Sequence, residues 1–227
     1  MDLRDALRTT GSVRNFTTEP VDDAMLFEIL NDARFAPSGG NRQSWRVIVV
    51  KDVKQRAAIG AEYLDAWHDY VAHILAGVVP FSPLASSDDR LAAQSRRAAA
   101  ENLSKPGGFA ENFADVPVML VVAADLGVLA AIDRDLGRYQ IVGGASIYPF
   151  VWNILLSARD RDLGGVMTTM AVRNEPKLKE ILSLPENYAI ASIVALGHPA
   201  SRHTKLKRRS VEEFTTVDRF SGPPFTA

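Results

Sequence analysis

Ser146-Ile147-Tyr148-Pro149-Phe150-Val151-Trp152-Asn153-Ile154-Leu155-Leu156-Ser157-Ala158 is the stretch on which the fold turns. Ile147, Phe150, Val151, Ile154, Leu155 and Ala158 recur at i, i+3, i+4, i+7, i+8 and i+11, which is one face of an α-helix. Pro149 falls in the first turn, where a missing N–H costs little, and Ser146 stands where a cap is wanted. This is the clearest helix in the chain, and its unbroken apolar stripe marks it as a central element.

Downstream, Gly164-Gly165 precedes a short strand over Val166–Ala171. Asn174 is placed to cap a helix through Leu184, and Tyr188–Leu196 reads as a strand. Upstream, Val116–Ala124 is a second apolar strand, and residues 53–78 carry Ala57, Leu64, Trp67, Val71, Ile74 and Val78 on one helical stripe. Trp45–Val50 is rich in β-branched residues and is expected as a buried strand. Thr17, Thr18 and Pro20 open a helix over Val21–Ala36, with Met25, Leu26, Ile29, Leu30 and Ala33 at helical spacing and Pro37 as its stop. Residues 2–9 suit a short helix. Residues 80–108, with their prolines, an SSDD cluster and KPGG, read as a variable helical insertion, either a lid or a surface excursion without a role. Residues 199–227 are polar and too poor in apolar side chains for a core, so this arm is expected to lie across another surface. Helices and strands interleave throughout, which predicts one α/β-layered domain over residues 1–227.

The 227 residues suffice for one sizeable core, and 47% apolar with 23% charged residues excludes a disordered chain. With 26 basic and 27 acidic residues, the net charge of −1 provides no field for nucleic acid or an anionic membrane. Cysteine is absent, which excludes disulfides, thiolate nucleophiles and Cys-ligated metals, and fits a reducing compartment. The opening MDLRDALRTTGSVRNF has acids early and no apolar run, so it is not expected to be a secretory signal, and no apolar run approaches the ~20 residues of a membrane span. A cytoplasmic location is expected.

The sequence lacks G-x-G-x-x-G after a strand, a Walker A loop, H-E-x-x-H and G-x-S-x-G. His68, His73, His198 and His203 are scattered and read as surface histidines, so no metal site is expected. Three clusters remain. In Arg8-Thr9-Thr10-Gly11-Ser12-Val13-Arg14, an extended backbone turns guanidinium and hydroxyl groups one way, suited to a phosphate and a polyol; a solvated basic N-terminus is the competing reading. Ala36-Pro37-Ser38-Gly39-Gly40-Asn41-Arg42-Gln43-Ser44-Trp45 offers close backbone approach plus donors and acceptors, or is an ordinary helix-to-strand turn. Lys207-Arg208-Arg209 is a phosphate clamp only if the fold brings it to the first cluster, and otherwise a solvated face.

In this order the clusters resemble the FMN-dependent nitroreductase family over nearly the whole chain. The family's R-x-S-x-R-x-F segment is matched by Ser12, Arg14 and Phe16, with Thr10 in place of the first arginine and Arg8 two residues earlier. Its A-P-S-x-x-N-x-Q-P-W motif is matched at Ala36–Trp45, with Ser44 in place of proline. Its G-L-G-x-x-x-T is similar to Asp162–Thr168, its G-x-P to Gly197-His198-Pro199, and its closing basic motif to Lys207, Arg209 and Glu212-Glu213. Gly143–Ser146 aligns with a stretch that touches the flavin in some members.

The resemblance implies an α+β fold, a three-layer α/β/α sandwich around a mixed, largely antiparallel sheet, with a C-terminal arm exchanged in a homodimer that holds FMN at its interface. It implies an FMN site formed by Arg8, Thr10, Ser12, Arg14, Pro37, Ser38, Gly39, Asn41, Gln43, Ser146, Met167, Thr168, Lys207 and Arg209, the 36–45 loop coming from the second subunit. Arg14 would serve the flavin's N1 and O2 side, and Thr168 or Thr169 its N5. The implied activity is ping-pong reduction of small electron-poor compounds, such as nitroaromatics and quinones, by NAD(P)H. Reductive dehalogenation, flavin cleavage and flavin sequestration without turnover remain alternatives on the same fold.

Overall fold

A computed structural model describes residues 1–202 and 204–226. The expectation of a surface histidine at 203, and the last residue of the arm, lie outside the described residues. In chain order the elements are α1 (Leu3–Thr9), α2 (Asp23–Ala33), β1 (Trp45–Val49), α3 (Val53–Leu75), α4 (Ser87–Gln94), α5 (Arg97–Glu101), β2 (Val118–Asp125), α6 (Tyr148–Asp160), β3 (Gly164–Thr168), α7 (Glu175–Leu182) and β4 (Tyr188–Gly197). The strands form one sheet in the order β1-β2-β4-β3, and every neighbouring pair is antiparallel. The parallel component is an isolated bridge between Ser12 and Gly165.

β2 shows why the chain layers. Leu120, Val122 and Ala124 project into one apolar cluster, and Met119 and Val121 into the other. A strand with apolar residues on both of its alternating faces is stable only between two covering layers. On one side lie α2 and α6, which contribute Leu26, Ile29, Phe150, Val151 and Ile154. On the other lie α3 and α7, which contribute Ile59, Tyr63 and Leu178, together with Phe113 from the turn before β2. Burial of each large aliphatic or aromatic side chain stabilises the fold by about 1.5–3 kcal/mol. The result is the three-layer α/β/α sandwich around a largely antiparallel sheet that the family resemblance implied.

Several local expectations change. The Trp45–Val50 stretch was expected to be buried, but β1 is an edge strand and only Val50, just past its end, is fully covered. The second helix ends at Ala33, ahead of Pro37, and α3 stops at Leu75 because Gly77 turns left-handed at φ 72°. The strand expected at Val166–Ala171 begins earlier, at Gly164, and ends at Thr168. Asn174 does not cap α7 with its side chain; its amide donates instead to the Glu62 carbonyl at 3.2 Å and to Asp65 at 2.9 Å, fastening α7 to α3. His68 and His73 are half-buried rather than surface groups, bonded to Ser104 at 3.4 Å and to the Asp69 carbonyl at 2.7 Å.

The 80–108 stretch contains α4 and α5, as its Ala/Arg-rich composition suggested. Arg97 holds α5 against α3 through Asp65 at 2.7 Å and Asp69 at 2.5 Å, and also pairs with Glu101 at 2.8 Å. Beyond β4 the described arm has neither helix nor strand, only isolated bridges at Pro199 and between Thr216 and Pro224. Its Phe214, Phe220 and Phe225 are exposed. No described helix is long and apolar enough to cross a membrane.

Candidate functional site

The site begins where the N-terminal segment meets the sheet. The Val13 N–H donates to the Gly165 carbonyl at 2.9 Å, the Thr17 N–H to the His198 carbonyl at 2.8 Å, and the Ala200 N–H to the Asn15 carbonyl at 3.0 Å. Residues 12–17 are thereby stitched between the start of β3 and the end of β4. Glycine is required at 164 because a Cβ there would lie 2.8 Å from the Val13 Cβ. With Val13 turned into the core at 6% exposure, Arg14 is directed outward by strand alternation. It is exposed and makes no ion pair or side-chain hydrogen bond among the described residues.

Arg14 and Thr168, the last residue of β3, line one cavity of about 560 Å³. Tyr63, Trp67 and Tyr70 from α3 and Phe109 form its aromatic wall, and Lys105 and Glu111 stand at its polar margin. The Thr168 hydroxyl accepts the Met170 N–H at 3.3 Å and lies 3.4 Å from the Tyr63 hydroxyl. Burial raises the Tyr63 pKa above its ordinary value, against the smaller opposing effects of the Thr168 bond and the Arg14 charge. Glu111 accepts from the Ser104 hydroxyl at 2.6 Å and the Lys105 N–H at 2.9 Å, and these bonds, with His68 nearby, hold its pKa below the ordinary value although burial alone would raise it. Arg14 also borders a second cavity of about 580 Å³, between residues 14–21 and the 107–117 stretch.

The 36–45 loop occupies a different place. Gly40, Asn41 and Gln43 are left-handed, at φ 61°, 53° and 49°. Such backbone at a non-glycine residue costs about 1–3 kcal/mol and is characteristic of functional loops, with asparagine at the tolerant end. The Ser38 hydroxyl accepts the Gln43 N–H at 3.0 Å, and the Gln43 amide donates to Asn41 Oδ1 at 3.2 Å. Trp45 anchors the loop's end by stacking on Phe150 at 4.7 Å. Ser146, expected as a helix cap, instead accepts the Gly39 N–H at 3.0 Å and has no capping bond to α6. It is buried, and it fixes the loop against the turn that precedes α6.

Not every expected residue joins the Arg14 cavity. Arg8 stands exposed in the last turn of α1, and the Thr10 hydroxyl turns inward to donate to the Ala6 carbonyl at 2.7 Å. This corrects the expectation of one extended, same-facing run from Arg8 to Arg14: the helix and its final turn carry the first half, and in the extended second half Ser12 and Arg14 are the exposed residues. Met167 and Thr169 flank Thr168 in sequence but lie outside the cavity lining. Pro37, Ser38, Gly39, Asn41, Gln43 and Ser146 lie outside it too. Lys207 and Arg209 are exposed on the arm, and no hydrogen bond or ion pair among the described residues joins them to Ser12 or Arg14. One chain thus presents two separate polar constellations. Sequence reading missed Tyr63, Tyr70 and Phe109 and took Trp67 as part of a packing stripe. The signal available was Tyr63, Trp67 and Tyr70 at i, i+4 and i+7 on one predicted helix.

The cavity fits an aromatic, polar-edged cofactor. It lies within the 300–1,000 Å³ range of small-molecule sites, its wall is made of flat rings, and Arg14 offers a charge that no carboxylate among the described residues neutralises. No cluster of metal-ligating side chains occurs among the described residues.

The chain belongs to the nitroreductase family, whose sequence pattern matches residues 7–198. Among individual proteins, it is 28% identical over 200 residues to an NADH dehydrogenase of Thermus thermophilus, covering 88% of each chain. It is 24% identical to a chloronitrobenzene nitroreductase of Comamonas testosteroni, covering 94% of this chain and 96% of that one. A BluB-like flavoprotein from Clostridium difficile shares the fold with a TM-score of 0.66 and 21% identity, over 96% of this chain and all of that one.

Proposed function

We propose that the protein is an FMN-dependent NAD(P)H oxidoreductase that reduces small electron-poor aromatics, working as a homodimer. The observation that carries this reading is the juxtaposition of an unpaired Arg14 and a hydrogen-bonded Thr168 in one aromatic-walled cavity, in a chain of this family. The chemistry FMN supplies when bound is two-electron transfer, taken from NAD(P)H and given to an electron-poor acceptor in turn at one face. Arg14 places a fixed positive charge where a polar ring edge or an anion is bound, and a charge in a partly desolvated site acts more strongly than in water. Thr168, its oxygen already held by the Met170 N–H, keeps a hydroxyl oriented at the cavity wall. The rings of Trp67, Tyr70 and Phe109 exclude water and favour flat occupants.

Ser38, Gly39, Asn41 and Gln43 complete the cofactor site from a second copy. Their loop is held in a strained, hydrogen-bonded form away from the Arg14 cavity, which suits contacts made across an interface. The exposed phenylalanines of the arm suit the same arrangement, in which residues 199–227 lie along the partner and Lys207 and Arg209 meet the phosphate, with Arg8 beside them. The segment with α4 and α5 closes over the cavity as a lid.

The test is an anaerobic absorbance titration of FMN-loaded protein with NADH and then NADPH. Bleaching of the flavin bands by either nucleotide, and their return on adding a nitroaromatic or quinone, supports the reductase reading and identifies the donor. A flavin spectrum that neither nucleotide bleaches points to flavin sequestration or flavin cleavage instead, and failure to take up FMN rejects the cofactor.

A further inference from the structure

The reading of this cavity as part of the flavin site leaves one of its groups without a task. Tyr63 is 4% exposed and held rigidly, its ring stacked on Phe113 at 3.9 Å and 10° and set edge-on to Phe109 at 5.9 Å and 88°. A tyrosine needed only to fill this layer would serve equally as phenylalanine. Its hydroxyl, however, sits at the cavity wall and is addressed from one side. The Thr168 oxygen accepts the Met170 N–H and lies 3.4 Å from the Tyr63 oxygen. The two hydroxyls carry two protons and share one contact, so one proton of the pair is left to be donated elsewhere. No protein acceptor receives it among the described residues, and the open direction is the cavity.

We propose that the Tyr63 hydroxyl is a specificity-determining donor, which hydrogen-bonds an oxygen on the edge of a planar aromatic acceptor and so selects carbonyl- or nitro-bearing rings over hydrocarbon rings of the same shape. The inference rests on the proposed function, and adds to it that the Tyr63 side of the cavity takes the electron acceptor while the Arg14 side takes the cofactor. Trp67, Tyr70 and Phe109 contribute affinity for any flat ring. The hydroxyl contributes discrimination, because an occupant without an acceptor oxygen leaves a buried donor unpaired. Burial keeps the tyrosine protonated, so it acts as a neutral donor throughout the working pH range. Thr168 is a positioning residue for this bond: its oxygen, held by the Met170 N–H, fixes the neighbour that the phenol group faces.

The test compares two ligands of the same shape, acetophenone and α-methylstyrene, which differ by an oxygen in place of a methylene group. Binding is followed by quenching of tryptophan fluorescence, with Trp67→Phe showing which part of the signal comes from the cavity, and is measured with and without FMN. The wild-type protein should bind acetophenone about threefold to tenfold more tightly than α-methylstyrene, the range expected of one net neutral hydrogen bond. Tyr63→Phe should bring that ratio close to one while leaving α-methylstyrene and FMN affinities within about twofold. Thr168→Val should lower the ratio in part, and it carries the test alone if Tyr63→Phe does not fold. A purely structural tyrosine would change both ligands together, so an unchanged ratio in Tyr63→Phe overturns the proposal. A large loss of FMN affinity with the ratio intact also overturns it, because the hydroxyl would then serve the cofactor. If the ratio behaves as expected but neither nucleotide reduces the protein, the oxidoreductase reading fails and the ligand site stands.

Discussion

Gly164→Ala tests whether the N-terminal segment is positioned by its contact with the sheet. The added Cβ would lie 2.8 Å from both Cβ and Cγ2 of Val13 and 2.9 Å from its Cγ1. All three distances are shorter than real contacts of this kind, and a branched side chain at 6% exposure has no free rotamer to retreat into. The Val13 backbone must therefore move, although its N–H is bonded to the Gly165 carbonyl at 2.9 Å. Overpacking of this kind costs about 1–3 kcal/mol. In a domain of this size, each kcal/mol lowers Tm by about 2–4 °C, so a fall of about 2–12 °C is expected in a thermal melt of the apoprotein. The displacement also reaches Arg14, the next residue, so FMN affinity measured by flavin fluorescence quenching should fall with it. A Tm within 1 °C of wild type, with unchanged FMN affinity, would refute the claim that Val13 and Gly164 fix this segment.

Three further outcomes are expected. Ile154→Ala removes a fully buried side chain from the cluster under α6 and should cost about 2–5 kcal/mol in a denaturant melt with little change in slope. Arg14→Ala should weaken FMN binding about tenfold to a hundredfold, the loss of one charge-assisted bond, with the apoprotein's Tm unchanged, since Arg14 makes no ion pair among the described residues. Burial pushes the Asp65 pKa up, but hydrogen bonds from Asn174 and Arg97 outweigh it and leave the group below its ordinary 3.8. A depressed carboxylate stabilises the fold above its unfolded pKa and loses that contribution as pH falls through the folded value. The Tm advantage of wild type over Asp65→Asn should therefore be full at pH 6 and shrink on acidification below about pH 4.

The sequence by itself determined the layers. The stripe on α6, the continuous apolar run of β2 and the alternation of helical and strand periods admit few arrangements besides a sheet covered on both faces, because such a strand must bury both rows of its side chains. Together with the resemblance to the family, it also marked Ser12, Arg14, Ser38, Asn41, Gln43 and Thr168 as site candidates. Element ends were less legible: Gly77 rather than Val78 stops α3, and β3 starts at Gly164, because left-handed backbone and close packing are settled by neighbours distant in sequence. Tertiary structure alone decided which polar groups meet. It turned Thr10 into its own helix and gave Ser146 to Gly39. It joined Tyr63 to Thr168 across a separation of 105 positions in the chain. A hydroxyl's role depends on which partner lies within about 3 Å, and that distance is set by the packing of whole layers rather than by any local pattern.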